Sequence, residues 1–186
     1  LDVIVSDGWY KGKINFNVDA GKEELKKALI CELTITYKDG TRQRIVTDEN
    51  WLAKKDKLRY AELYDGEIYD SLFEDEYVNA KIIDYDKKKI QAQQGVFVKE
   101  QERIDPVSIF KAPNGDTLVD FGQNMTGYFE FNTFAKEGDK VEFTVCEVLD
   151  KYGNFYNDNY RDAKARFEYV CHEGENRYKP KLAFWG

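Results

Sequence analysis

Apolar and polar residues alternate at every second position through much of this chain, and no stretch sustains a 3.6-residue repeat over a dozen residues. Leu29, Cys31, Leu33, Ile35 and Tyr37 interleave with Glu32, Thr34, Thr36 and Lys38, which predicts a half-buried strand. Asp39-Gly40 supplies the positive-φ residues of a tight hairpin turn, and the return strand runs from about Arg42 to Thr47. Glu23 to Ala28 is long enough for one helical turn, and it is too charged to anchor a domain. Ile82 to Gln93, with Asp84-Tyr-Asp86 and three lysines, reads as a solvated hairpin tip. A further strand is expected near Gly95–Lys99, then short alternating runs at 117–121, 128–134, 141–149 and 166–171. Asn114-Gly115, Glu137-Gly138, Tyr152-Gly153 and Glu173-Gly174 punctuate them. Short strands with regular turn signals predict an all-β fold of two antiparallel β-sandwich units. Asp105-Pro106 marks the boundary, giving units over 1–103 and 104–186.

One residue breaks the pattern in the second half. Val141, Phe143, Val145, Glu147 and Leu149 share a face if 141–149 is a single strand, so Glu147 is the one charge in an apolar row. A buried carboxylate needs partners, because burying it bare costs more than one residue can repay. Gln123, Asn124 and Arg161 are the nearest candidates, with Asp120 opening the same loop. The expectation is a polar pin inside the sandwich core, made by Asp120, Gln123, Asn124, Glu147 and Arg161.

Composition narrows the function. A net charge of −7 argues against a nucleic-acid partner, since a phosphate-reading surface needs a surplus of Lys and Arg. Aromatic residues at 15%, mostly Tyr and Phe, favour strands over helical bundles. Cys31, Cys146 and Cys171 are far apart and odd in number, and His172 is the single histidine, which disfavours a Cys/His zinc site. Free thiols favour a reducing, cytoplasmic setting over a secreted one. No stretch approaches the ~20 apolar residues of a membrane-spanning helix, so no membrane partner is expected. Phosphate loops, nucleophile elbows and HExxH motifs are absent.

Several motifs occur in a telling order. The segments Asp7-Gly-Trp-Tyr-Lys-Gly12, Tyr37-Lys-Asp-Gly40, Thr47-Asp-Glu-Asn-Trp51 and Tyr64-Asp-Gly-Glu-Ile-Tyr-Asp70 come first. Then follow Asp120-Phe-Gly-Gln-Asn-Met-Thr-Gly127, Glu147-Val-Leu-Asp150, Gly153-Asn-Phe-Tyr156, Asn159-Tyr-Arg161 and Tyr178 through Gly186. Together they resemble the N-terminal jelly-roll domain and the concanavalin-like β domain of bacterial α-L-rhamnosidases. The chain departs from that pattern at Phe167, where the family usually has Asp, and in its terminal Pro180-Lys-Leu-Ala-Phe-Trp-Gly186. With few residues before Asp7, the resemblance implies two incomplete β units cut from a longer enzyme.

What the resemblance implies is an enzyme that removes terminal α-L-rhamnose from glycosides with inversion, using carboxylates in an (α/α)6 barrel that follows these β domains. No catalytic residue is then expected in this chain, and its partners would be a rhamnose-containing glycoside and that barrel. A stand-alone rhamnose-binding module, or a structural or oligomer-forming domain, are the alternatives. Asp7, Trp9 and Tyr10 are the first sugar-binding candidates, because aromatic faces stack on a deoxy sugar while a carboxylate accepts its hydroxyls. The plainer reading is a strand end whose rings plug the sandwich. Asp48, Asn50, Asp65 and Glu67 are further candidates, with solvated turns as the plainer reading. No cofactor is required. The resemblance extends to jelly rolls that bind rhamnose through calcium, and Asp7, Asp48 and Asn50 are the residues that would hold that ion.

Overall fold

The computed structural model describes residues 1–13 and 25–185. Its regular elements are strands β1 (Glu32–Thr36), β2 (Arg42–Val46), β3 (Leu52–Ala53), β4 (Leu58–Glu62), β5 (Gly66–Asp70), β6 (Val78–Asn79) and β7 (Ser108–Lys111). These continue with β8 (Thr117–Asp120), β9 (Phe131–Ala135), β10 (Lys140–Thr144), β11 (Val148–Leu149), β12 (Phe155–Tyr156), β13 (Arg166–Val170) and β14 (Gly174–Tyr178). Two short 3-10 turns, Lys87–Lys89 and Asp158–Tyr160, complete the list, and no α-helix occurs among the described residues. The all-β expectation holds. The helical turn read over 23–28 lies partly outside the described residues, and residues 25–28 have no regular structure.

The chain divides into two compact units that interleave in sequence. The first contains 1–83, 128–144 and 163–185, and the second contains 84–127 and 145–162. In the first unit a four-stranded sheet runs in the order β10-β13-β5-β4. Its outer pairs are antiparallel, whereas β13 and β5 run parallel with Arg166 opposite Gly66 and Val170 opposite Asp70. A parallel neighbour was not expected from hairpin signals, which report only on strands adjacent in sequence. Antiparallel pairs β1–β2, β3–β6 and β9–β14 complete this unit. The predicted first hairpin is therefore present, with Glu32 opposite Val46.

The core of the first unit is aromatic. Tyr69 of β5 stacks on Tyr169 of β13 with ring centroids 5.5 Å apart, and both lie 4.9 Å from Tyr178 of β14. Phe131 of β9 meets Tyr169 edge-on at 5.6 Å. Period-2 alternation delivers these rings: Phe167, Tyr169 and Cys171 point inward, and Arg166 and Glu168 lie towards the surface. Phe167 packs edge-on against Phe129 at 4.9 Å, so a ring fills the position where the family pattern would place a carboxylate.

The second unit is built of two small antiparallel pairs, β7–β8 and β11–β12. The strand expected at 95–99 is absent, and Val96, Phe97 and Val98 are exposed. The expected strand over 141–149 is broken. β10 ends at Thr144, Glu147 sits at a bend, and β11 begins at Val148. A bend resets the inward–outward parity of a strand, so the alternation argument fails beyond Val145. Glu147 is exposed, as are Asp120, Gln123, Asn124 and Arg161, and the predicted polar pin does not form a buried core. Asp120 instead accepts the backbone N–H of Gly122 at 2.7 Å, a local turn bond.

Candidate functional site

The residues Asp7–Lys13 form a turn held against the β4–β5 connection. The Gly8 N–H donates to the Ala61 carbonyl at 3.2 Å, and the Lys11 N–H closes the turn onto the Asp7 carbonyl at 3.0 Å. Gly12 is required by space. A Cβ there would lie 2.2 Å from both Glu62 Oε1 and the Gly8 carbonyl oxygen. This close approach lets the Lys13 N–H reach Glu62 Oε1 at 2.7 Å.

Two buried carboxylates organise this corner. Glu62 Oε2 takes the N–H groups of Tyr64 and Asp65 at 2.8 and 2.7 Å, capping the tight turn between β4 and β5. Asp65 receives the Lys13 ammonium at 2.8 Å, the Lys164 ammonium at 3.3 Å and the Tyr60 hydroxyl at 3.2 Å. Burial alone would raise the Asp65 carboxyl, but Lys13 and Lys164 outweigh it and hold the group below its ordinary value. Burial pushes the Tyr60 phenol well up, and the nearby charges of Asp65 and Glu62 push it further. The oxygens of both carboxylates are thus engaged by backbone N–H groups, ammonium groups and a phenol.

Beside this corner stands an aromatic ledge. Trp9 meets Tyr64 edge-on at 5.2 Å and is 44% exposed. The structure thus brings Asp7, Trp9 and Asp65, which the sequence offered as two separate candidates, to one corner. Tyr10 is exposed at the same turn. Sequence reasoning missed Glu62, Tyr60, Tyr64, Lys13 and Lys164. The available signal was Glu62 standing three residues before Asp65, ahead of the Asp65-Gly66 turn.

Glu67 does not belong to this site. It is 1% exposed on β5, and its two oxygens accept the N–H groups of Lys181 (2.8 and 3.1 Å), Leu182 (2.9 Å) and Ala183 (3.2 Å). The Tyr178 hydroxyl also donates to it. Burial raises the Tyr178 phenol far above its usual range, and the charge and hydrogen bond of Glu67 add to that. A sugar-contacting role for Glu67 is corrected by this geometry: the buried carboxylate pin of the fold is Glu67, and Glu147 is a surface residue.

The remaining candidates each have a partner of their own. Asp48 takes the Asn50 N–H at 2.9 Å and its side-chain amide at 3.2 Å, an ordinary turn motif. Asp7 pairs with the Lys27 ammonium at 2.7 Å. These bonds tie Asp7 to Lys27, and Asp48 to Asn50. Among the described residues no group of three or more His, Cys, Asp or Glu is placed to hold a metal. All three cysteines are free, with Cys171 fully buried. His172 is an exposed turn residue. No helix among the described residues is long and apolar enough to cross a membrane.

Comparison with known proteins places this architecture. Residues 1–112 match the family model of the alpha-L-rhamnosidase N-terminal domain, and 110–186 match that of the bacterial alpha-L-rhamnosidase concanavalin-like domain. The chain belongs to the α-L-rhamnosidase family. An α-L-rhamnosidase of Alteromonas sp. (strain LOR) is 31% identical over 205 residues, covering all of this chain and 22% of that protein. One from Formosa agariphila is 29% identical, again over all of this chain and 22% of its own length. The chain therefore spans about a fifth of the length of the curated relatives it matches. The crystal structure of the Streptomyces avermitilis α-L-rhamnosidase complexed with L-rhamnose superposes with a TM-score of 0.74 at 28% identity, over 83% of this chain and 16% of that one. The Aspergillus terreus α-L-rhamnosidase superposes at 0.76 over 84% of this chain and 20% of that one, and its 24% identity speaks for the shared fold alone.

Proposed function

We propose that this chain is a non-catalytic β-sandwich portion of an α-L-rhamnosidase, which removes terminal α-L-rhamnose from glycosides with inversion. The catalytic carboxylates belong to an (α/α)6 barrel, and the β domains covered here buttress it. Inversion needs an acid and a base about 6.5–9.5 Å apart across a bound sugar. The observation that carries this reading is the commitment of the buried acids. Glu62, Asp65 and Glu67 are each occupied by backbone N–H groups, ammonium groups or phenols. The test is hydrolysis of an aryl α-L-rhamnoside by this 186-residue chain. No turnover is expected, and sustained turnover abolished by Asp65→Asn or Glu67→Gln would overturn the proposal.

A second reading rests on the Trp9–Tyr64 ledge. There an exposed indole lies beside the Lys13 and Lys164 ammonium groups paired to the buried Asp65, a combination suited to stacking on a sugar and donating to its hydroxyls. Under this reading the chain is a rhamnose-binding module. Calorimetric titration with L-rhamnose, with and without calcium, separates the two. Heat lost in Trp9→Ala supports the module, and calcium-dependent heat lost in Asp48→Ala would restore the ion site at Asp7, Asp48 and Asn50. Absence of heat at millimolar sugar leaves the supporting role, including assembly of the domains around it.

A further inference from the structure

We infer that Glu67 is the lock of a strap formed by residues 179–184, which opens and closes as one unit. The strap follows β14 and makes no ladder hydrogen bonds over these six positions. Its ends are held by other means. Tyr178 is paired with Phe131 in the β9–β14 ladder, and Trp185 re-enters bridge pairing. Between them, three successive backbone N–H groups, those of Lys181, Leu182 and Ala183, converge on the single carboxylate of Glu67.

The chemistry makes this arrangement all-or-none. A buried carboxylate is tolerated only while its lone pairs are filled, and each N–H it releases raises the cost of keeping the charge inside. The donors in turn have no ladder partner to fall back on. Pro180 and Ala183 are buried, whereas Lys181 and Leu182 face solvent, so the strap lies on the surface with its backbone turned inward. Glu67 belongs to the Tyr64–Asp70 motif and the strap to the Tyr178–Gly186 motif, and the fold joins the two through this carboxylate. The inference concerns the chain itself and does not depend on which sugar, if any, it serves.

Trypsin reads the strap directly. Lys179 precedes proline and resists cleavage, which leaves Lys181–Leu182 as the reporter bond within the strap. Lys140–Val141, inside β10, serves as the control for the sheet. Under brief proteolysis of the whole chain followed by mass spectrometry, Glu67→Gln is expected to raise cleavage at Lys181–Leu182 by ~10-fold or more while Lys140–Val141 stays protected. Equal rates in the variant and the parent, or an equal rise at both bonds in a variant that keeps its β circular dichroism, would overturn the lock. Should Glu67→Gln fail to fold, Tyr178→Phe keeps the ring and removes one donor. It is expected to raise cleavage at the reporter bond by ~3-fold, and an unchanged rate there counts against the inference.

Discussion

Gly66 lies so close to Arg166 across the parallel β5–β13 pair that a Cβ on Gly66 would stand 2.0 Å from the Arg166 carbonyl oxygen. Gly66 also has a φ of +101°, a region that L side chains rarely enter. Gly66→Ala therefore combines a backbone collision with conformational strain. It is expected to cost about 2–4 kcal/mol, read as a lowered midpoint in urea. A midpoint equal to that of the parent would mean that β5 and β13 are not neighbours.

Glu67 and Glu147 offer a matched pair of substitutions. Glu67→Ala strands three backbone N–H groups and a buried phenol, and is expected to cost about 3–5 kcal/mol. Glu147→Ala touches an exposed bend and is expected to stay within about 0.5 kcal/mol. Chemical denaturation of both variants decides it, and a reversed order would restore the strand-based reading of Glu147.

Alkali should unfold this protein rather than merely titrate it. Burial is the first cause that raises the phenols of Tyr60, Tyr69, Tyr160, Tyr169 and Tyr178, five of the 13 tyrosines. A phenol raised in the folded state favours folding while it is protonated. That contribution is complete below the unfolded value of about 10 and is lost as pH rises through the folded one. The expected outcome is cooperative loss of β circular dichroism above about pH 10, coincident with a late block of tyrosinate absorbance. A smooth titration of all tyrosines with the fold intact would contradict it.

On the acid side the sign reverses for Asp65. Burial opposes its ionisation, yet Lys13 and Lys164 carry it below its usual value, so its contribution is present above the unfolded value and disappears as pH falls through the folded one. Lys164→Met should shift the Asp65 carboxyl titration upward, as followed by carbon NMR, and should raise the pH at which acid unfolding begins. An unmoved Asp65 titration would show that Lys164, 65% exposed at its side chain, is screened by solvent.

Much of the fold was legible along the chain. The Leu29–Thr47 hairpin, the strands at 117–120 and 166–170, and the all-β class follow from alternation and turn residues that act between near neighbours. The site was legible only in part. Asp7, Trp9 and Asp65 were singled out by residue type, and they do share one corner. Their companions Lys13 and Lys164 were not, because ion pairs between distant segments leave no periodic trace. Glu147 was misplaced because a bend after Thr144 breaks the parity on which the argument stood.

Sequence alone determined the β class, the family likeness and the turn positions, since backbone propensity and side-chain alternation are local properties of the polypeptide. Tertiary structure decided which acid is buried. Glu67 and Glu147 are alike as residues, and only the return of the chain at Lys181–Ala183, more than a hundred positions later, gives one of them donors enough to leave water.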